Sequence, residues 1–234
     1  MRATKNPGRV AGFLYLLLVV AAPFRLLYIP SRLFVSGNAA ATTKNIAAHE
    51  MLFRLGIVGD LFCGTILIFL ALALYQLLKG VDQKLAVLMV ILGGVIPAVI
   101  DYVNVANDAA ALILVRGPDF LSVFDKPQRD ALALLFLRLH RQEIVAAEIL
   151  WGLWLFPLAL LTLRSGFLPR FLGLWLILNG SAYLVMSVTG LLWPQFEDTV
   201  SNFALPAQLG EIAFMLWLVV KGARPPLAVI APSS

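Results

Sequence analysis

The stretch Pro97-Ala-Val-Ile-Asp101-Tyr-Val-Asn104-Val-Ala-Asn-Asp108 lies inside a run of residues that is otherwise apolar enough to cross a lipid bilayer. Asp101, Asn104 and Asp108 are spaced at i, i+3 and i+7, so on a helix they form one polar stripe. A carboxylate near the middle of a membrane helix costs about 2.5–3.5 kcal/mol on insertion scales. The stripe is therefore predicted to face something other than lipid.

The composition of the whole chain is that of a multi-pass membrane protein. Its 234 residues are 61% hydrophobic and 13% charged, with a mean hydropathy of +0.90, whereas soluble domains are about one-quarter charged. The net charge of +5 gives no indication of a nucleic-acid partner, because the basic residues lie between the apolar runs. The lone Cys63 excludes an internal disulfide and an all-cysteine zinc site. We expect one transmembrane helical domain over residues 1–234, with membrane lipids as its surroundings.

Six apolar runs reach the length of about 20 residues that a bilayer requires, which predicts an all-α bundle of six transmembrane helices. The basic residues before Val10–Ala22 resemble the start of a signal peptide, but the apolar run continues to Ile29 and favours a retained first span. The third run is long enough to be tilted, kinked at Pro97 or extended beyond the lipid. The six predicted spans are Val10–Ile29, Leu55–Leu78, Leu85–Val115, Ile144–Leu163, Leu168–Leu192 and Leu205–Val220.

The distribution of lysine and arginine predicts that both termini are cytoplasmic. The basic residues in short hairpins and tails, where the positive-inside rule applies best, lie on one side of the membrane. On the other side, two longer loops are predicted to contain short helices, Asn38–Phe53 and Asp125–His140. We expect these helices to cap the bundle rather than to lie on the membrane surface. The basic residues assigned to the cytoplasmic side are Arg2, Lys5, Arg9, Lys79, Lys84, Arg164, Arg170, Lys221 and Arg224.

The ionisable residues inside the spans all fall in the external half of this predicted bundle. Five carboxylates left ionised and unpaired there would cost on the order of 10 kcal/mol or more. Two arginines can offset two of the five charges, so we expect a water-accessible acidic cavity open to the outside. The residues predicted to line it are Asp60, Asp101, Asn104, Asp108, Glu148 and Glu211, with Arg25 and Arg54 as the cations.

A divalent metal site is an alternative use of the same region. His140-x-x-Glu143 places an imidazole and a carboxylate on one helix face. Further ligands could come from His49 in the other external loop and from Asp101, Asp108 and Glu148. Neutral imidazole combined with carboxylates suits zinc, manganese or iron. Because the chain has only these 2 histidines, a three-histidine zinc site is excluded.

Several motifs resemble those of a known family. They are Asn45-Ile-Ala-Ala-His-Glu-Met-Leu-Phe-Arg-Leu-Gly, Trp151-Gly-Leu-Trp-Leu-Phe-Pro, Arg164-Ser-Gly-Phe-Leu-Pro-Arg-Phe-Leu-Gly, Gly210-Glu211 and Trp217-Leu-Val-Val-Lys-Gly-Ala. In this order they resemble the bacterial membrane-protein family catalogued as domain of unknown function 4386, over essentially the whole chain. The resemblance implies a multi-span bacterial membrane protein and implies no activity.

Three hypotheses about function are consistent with the sequence. The first is binding or transport of a small cation or a cationic amphiphile in the acidic cavity. The second is an intramembrane metal-dependent hydrolase that acts on a lipid-like substrate. The third is a structural or assembly protein without a ligand, whose buried ions only specify helix packing. The chain is short for a complete transporter, so transport would require a homo-oligomer.

Overall fold

The computed structural model of the protein describes residues 6–225. Within that range the chain forms seven helices longer than one turn and no strand. Six of them are long and apolar enough to cross a membrane, which confirms the predicted all-α bundle of six spans. The helices are α1 (Pro7–Leu33), α2 (Ala39–Ala48), α3 (Glu50–Leu78), α4 (Gln83–Arg116), α5 (Lys126–Arg164), α6 (Arg170–Leu192) and α7 (Pro194–Val220).

The second loop helix differs from the prediction. Instead of a separate short helix over Asp125–His140, the structure has an unbroken helix over Lys126–Leu153, which continues after a break at Trp154 as Leu155–Arg164. The start at Asp125 is strongly specified, since Asp125 and Gln128 form a reciprocal capping box. After Pro127 in the first turn, no glycine or proline follows until Gly152, so nothing in the sequence ends the helix before it enters the membrane.

The first loop helix is α2, and it ends at Ala48 rather than continuing to Phe53. His49 lies in the joint, and α3 begins at Glu50. Helix α2 packs on the ends of α3, α4 and α5. Its buried Ile46 belongs to a small apolar cluster with Leu33 and Leu137.

The six spans form a closed ring in which each span packs against its neighbours in the chain. The ring closes where α7 packs against α1, and there the Gly8 N–H donates to the Ala223 carbonyl over 3.1 Å. The first and last described residues therefore lie at the end of the ring opposite α2. We call the two ends the α2 end and the terminal end. The cytoplasmic location of the terminal end stays a prediction, and two of its supporting residues, Arg2 and Lys5, lie outside the described residues.

The terminal half of the ring is filled by apolar side chains. This apolar core draws on every span and contains most of the largest fully buried side chains. Among its members are Leu70, Leu74, Leu77, Met89, Leu155, Leu158, Leu161, Leu172, Phe214 and Leu218.

Two spans widen locally into a π-helix, and in each case an Ile-Pro dipeptide follows. The π segments are Phe24–Tyr28 in α1 and Ile91–Val95 in α4, and they precede Pro30 and Pro97. A proline ring would clash with the carbonyl four residues earlier and cannot donate a hydrogen bond to it. The wider turn removes this conflict, because the preceding isoleucine donates five residues back instead. The predicted irregularity at Pro97 therefore takes the form of a π segment.

The contact between α5 and α6 depends on two glycines that face each other. A Cβ built on Gly180 would lie 2.8 Å from the carbonyl oxygen of Gly152. We expect Gly180→Leu to force the two helices apart and to cost about 1–3 kcal/mol or more of stability. Thermal unfolding in neutral detergent measures the effect as a lower Tm. Gly80→Leu is the control, because a Cβ at Gly80 meets nothing within 4 Å, and an equal Tm for the two variants would contradict the packing.

Candidate functional site

A single arginine joins three spans at the start of the site. Arg25, in the π segment of α1, pairs with Asp60 of α3, and its Nη2 lies 3.6 Å from Oδ1 of Asp101 of α4. The side chains of Arg25 and Asp60 are each 6% exposed, and that of Asp101 is 12% exposed. Buried charges are stable only when they are paired and hydrogen-bonded. The single positive charge of Arg25 compensates the charge of only one of the two carboxylates.

One and two turns beyond Asp101 in the polar stripe of α4, Asn104 and Asp108 contact α5. Nδ2 of Asn104 donates to the carbonyl oxygen of His140 over 3.1 Å. Oδ2 of Asp108 lies 3.2 Å from Nδ1 of His140, but that nitrogen makes no hydrogen bond within the described residues. The stripe of Asp101, Asn104 and Asp108 thus contacts other spans rather than lipid.

Asp60, Asp108 and His140 come together from α3, α4 and α5. One potential ligand atom from each lies within 4.8 Å of the other two. We call these three residues the Asp–Asp–His cluster. Arg25 lies directly behind the Asp–Asp–His cluster, because its guanidinium donates a hydrogen bond to Asp60.

The cluster lines a chamber of about 850 Å³ in the α2 half of the ring. The chamber lies between α1 and α5, which do not neighbour each other in the ring. Its rim carries both signs of charge, with Arg141 donating to Glu197 over 2.6 Å. The polar side chains of the interior are Arg25, Asp60, Asp108, His140 and Glu148, and the apolar ones include Leu26, Ile29, Phe53, Leu137, Ile144, Val145 and Trp151.

A second, smaller cavity of about 200 Å³ lies further toward the terminal end. It shares Arg25, Trp151 and Tyr183 with the chamber. Glu211 of α7 lies in its wall and accepts hydrogen bonds from the hydroxyl of Tyr15 and, over 3.2 Å, from Nδ2 of Asn179. Beyond Glu211 the ring interior is the apolar core. The polar path therefore enters from the α2 end and stops at Glu211.

Most of the predicted cavity residues are brought together, and two are placed elsewhere. Asp60, Asp108 and Glu148 line the chamber, and Asp101 and Glu211 line the smaller cavity below it. Asn104 lies behind the chamber wall, where it bonds α5. Arg54 is the exception among the cations. It pairs with Glu50 one turn away, over 2.8 Å, and is 42% exposed.

Of the three residues predicted as the metal set, the structure places one in the cluster and two outside it. His140 belongs to the Asp–Asp–His cluster, but Glu143 accepts a hydrogen bond from Asn107 over 3.3 Å and lies outside the cluster. His49 is exposed at the joint between α2 and α3. The reason is geometric: the long α5 helix turns His140 toward α4, whereas His49 lies at the surface where α3 begins.

Residues 10–222 match the family described as Domain of unknown function (DUF4386). The chain belongs to the DUF4386 family. A protein from Archaeoglobus fulgidus, described as an uncharacterized protein, is 28% identical over 76 residues. That alignment covers 32% of this chain and 44% of the relative, so the chain spans less than half the length of the relative. No solved structure matches the chain. Since none of these names an activity, the function of this DUF4386 protein is argued from its site.

Tyr15 is the member of the site that sequence reasoning missed. It lies in the first apolar span without a polar residue next to it, and its ring is 4% exposed in the structure. The available signal was chemical, because the hydroxyl of a tyrosine deep in a membrane span needs a hydrogen-bond partner. The sequence does not show that this partner is Glu211, almost two hundred residues away.

Replacement of Arg25 tests whether the guanidinium is needed to keep two carboxylates inside the ring. We expect Arg25→Met to destabilise the DUF4386 protein by about 3–5 kcal/mol, because Asp60 and Asp101 lose their cation. Arg54→Met removes the same group from a partly exposed pair and should cost about 0–1 kcal/mol. Thermal unfolding in neutral detergent compares the two variants. A Tm loss for Arg25→Met no larger than that for Arg54→Met would contradict the role of Arg25.

The hydrogen bond between Tyr15 and Glu211 can be tested by removing one oxygen atom. We expect Tyr15→Phe to lower the stability by about 1–3 kcal/mol, because the buried Glu211 loses a donor. Tyr75→Phe is the matched control, since no hydrogen bond to the Tyr75 hydroxyl occurs within residues 6–225 and its ring contacts Lys79. Denaturation in detergent measures both variants, and a neutral Tyr15→Phe would show that Glu211 does not depend on this donor.

Proposed function

We propose that this DUF4386 protein binds a small cation, or the cationic headgroup of an amphiphile, in the chamber at the α2 end. As part of the same proposal, the α2 end faces away from the cytoplasm at the inner membrane of a bacterium. The membrane-spanning fold and the family membership come from the findings above. The ligand class is argued from the charge and the shape of the chamber.

The charge balance of the interior carries the proposal. Arg25 is the one buried guanidinium among the described residues that line the two cavities, since Arg138 and Arg141, which line the chamber at its rim, are exposed. The carboxylates there outnumber it by five to one: Asp60, Asp101, Asp108, Glu148 and Glu211. Each uncompensated charge costs several kcal/mol in such surroundings. A bound cation supplies the compensation that the protein side chains lack.

The shape of the chamber supports a ligand with an apolar part. Its volume of about 850 Å³ lies in the range of about 300–1,000 Å³ that is typical of small-molecule sites. Leucine, isoleucine, phenylalanine and tryptophan side chains cover much of its wall. A cationic amphiphile fits this combination, since its charge can lie at the acids while its chain contacts the wall.

The closed terminal half favours binding over continuous conduction. The apolar core blocks the ring beyond Glu211, so transport would need a second arrangement of the spans. The π segments in α1 and α4 are the two places where the spans depart from regular helix near the site, and such segments are common at functional sites. A homo-oligomer stays part of the transport version of the proposal.

A second candidate function is metal-dependent hydrolysis of a lipid-like substrate within the membrane. One observation favours it: the Asp–Asp–His cluster opens into a chamber large enough for such a substrate. A metal with three protein ligands and one open position is the usual catalytic arrangement. Hydrolysis of a fluorogenic lipid ester by the purified protein, lost on chelation, would select this candidate.

Removal of two interior carboxylates tests cation binding. The probes are dodecyltrimethylammonium, tetramethylammonium, Na⁺, Mn²⁺ and Zn²⁺, titrated calorimetrically into tag-free protein in neutral detergent. We expect Asp101→Asn with Asp108→Asn to weaken the binding of any cation that the wild type takes by about tenfold or more, since tenfold corresponds to about 1.4 kcal/mol.

The control for this experiment is Asp119→Asn with Asp198→Asn. It makes the same change in net charge at two exposed positions, so it should bind like the wild type. The proposal fails if no probe binds the wild type, or if the two double variants bind equally well. Expression and a monodisperse elution profile show that each variant is folded.

A further inference from the structure

We propose that the cation is a divalent transition metal, bound by Asp60, Asp108 and His140 at the inner wall of the chamber. The inference rests on the proposed function, because it names the cation that the chamber takes. It differs from the metal site expected from sequence, which was built on His140 and Glu143: Asp60 takes part in place of Glu143, while Asp108 was already a candidate ligand.

The ligand geometry comes from three different spans. The three donor atoms lie within 4.8 Å of one another, while tetrahedral ligands at about 2.1 Å from a metal are roughly 3.4 Å apart. For a metal to bind all three, rotation of the side chains has to bring the donor atoms closer by up to about 1.4 Å. Their exposure is low, at 6% for the Asp60 side chain, 9% for Asp108 and 16% for His140. A metal here would be largely shielded from bulk water.

Unsatisfied polar atoms in the cluster are an independent reason to expect a ligand. Nδ1 of His140 is fully buried and has no hydrogen-bond partner among the residues that the structure describes. Asp108 is more than nine-tenths buried, lines the chamber, and accepts no hydrogen bond from any residue in the 6–225 range. A buried polar group left in this state costs about 1–3 kcal/mol. A metal ion between these atoms would satisfy both of them.

The donor types and the charge select the class of metal. One imidazole with two carboxylates suits zinc, manganese or iron, whereas soft thiolate ligands are absent from the cluster. In their ionised forms, Asp60, Asp101 and Asp108 together carry three negative charges, and Arg25, which contacts the first two, carries one positive charge. The remaining two negative charges match a divalent ion.

The residues around the cluster would position its ligands. Arg25 donates to Asp60, which leaves the second carboxylate oxygen of Asp60 for a metal. Asn104 holds the backbone of His140 against α4. Partners of this kind orient metal ligands and contribute strongly to affinity. The open side of the cluster faces the chamber, so the fourth ligand would be water or a polar group of a bound amphiphile.

The experiment uses tag-free, full-length protein in neutral detergent after treatment with a chelator. Mn²⁺ and Zn²⁺ are titrated calorimetrically, and Co²⁺ is added to record the visible absorption of a bound ion. We expect one ion per chain. We also expect His140→Ala and Asp108→Asn to weaken binding by about 10- to 100-fold or more, because each removes a direct ligand.

His49→Ala and Glu143→Gln are the matched controls, because they remove the other histidine and a nearby carboxylate on the same helix as His140. Both should bind like the wild type. The inference is overturned if the wild type binds none of the three ions, or if His140→Ala binds as tightly as His49→Ala. If a cluster variant does not fold, the Co²⁺ spectrum of the wild type decides: a four-coordinate protein site gives intense visible absorption, whereas the weak spectrum of aqueous Co²⁺ overturns the inference.

The two proposals fail in different ways. If dodecyltrimethylammonium or another non-metal probe binds and no divalent ion does, the acidic chamber is a cation site and the metal inference is wrong. If neither class binds, both proposals are wrong.

Discussion

The buried guanidinium of Arg25 is the interaction on which the arrangement of the spans depends. Asp60 and Asp101 belong to different helices, and neither would be tolerated in contact with lipid. Arg25 contacts both of them, so α1, α3 and α4 must present these faces to one another. The rotation of three spans about their axes is thereby specified together. Polar contacts in membranes are individually weak, but they select one packing among many apolar alternatives of similar energy.

The closed ring turns this pairing into a compartment. Each span packs mainly against its neighbours and α7 returns to α1, so side chains that avoid lipid must point to one shared interior. Apolar residues fill the terminal half of that interior. In the α2 half, the space between α1 and α5 is too wide to be closed by side chains, and the chamber results. The helices of the ring thus hold the acidic side chains of the chamber together and separate them from lipid.

Much of the site could be predicted from single residues, because a carboxylate or guanidinium within an apolar span carries its own signal. Asp60, Asp101, Asp108, Glu148, Glu211 and Arg25 were recognised in this way, and all of them line the two cavities. Residues near the span ends carried a weaker signal. Arg54, Glu143 and His49 are tolerated at the surface as readily as in an interior, so their types alone did not distinguish the two locations. Tyr15 was missed because an aromatic side chain is ordinary in a membrane helix.

The sequence by itself determined that six helices cross the membrane and that α4 turns a polar stripe away from lipid. Both follow from local properties: the length of apolar runs and the periodicity of polar residues along one helix. Only the tertiary structure decided the partners, so that His140 meets Asp60 and Asp108 rather than Glu143, and Glu211 meets Tyr15. The physical reason is that such contacts depend on the order, rotation and depth of neighbouring spans. These are set by packing over the whole ring, which no short stretch of sequence encodes.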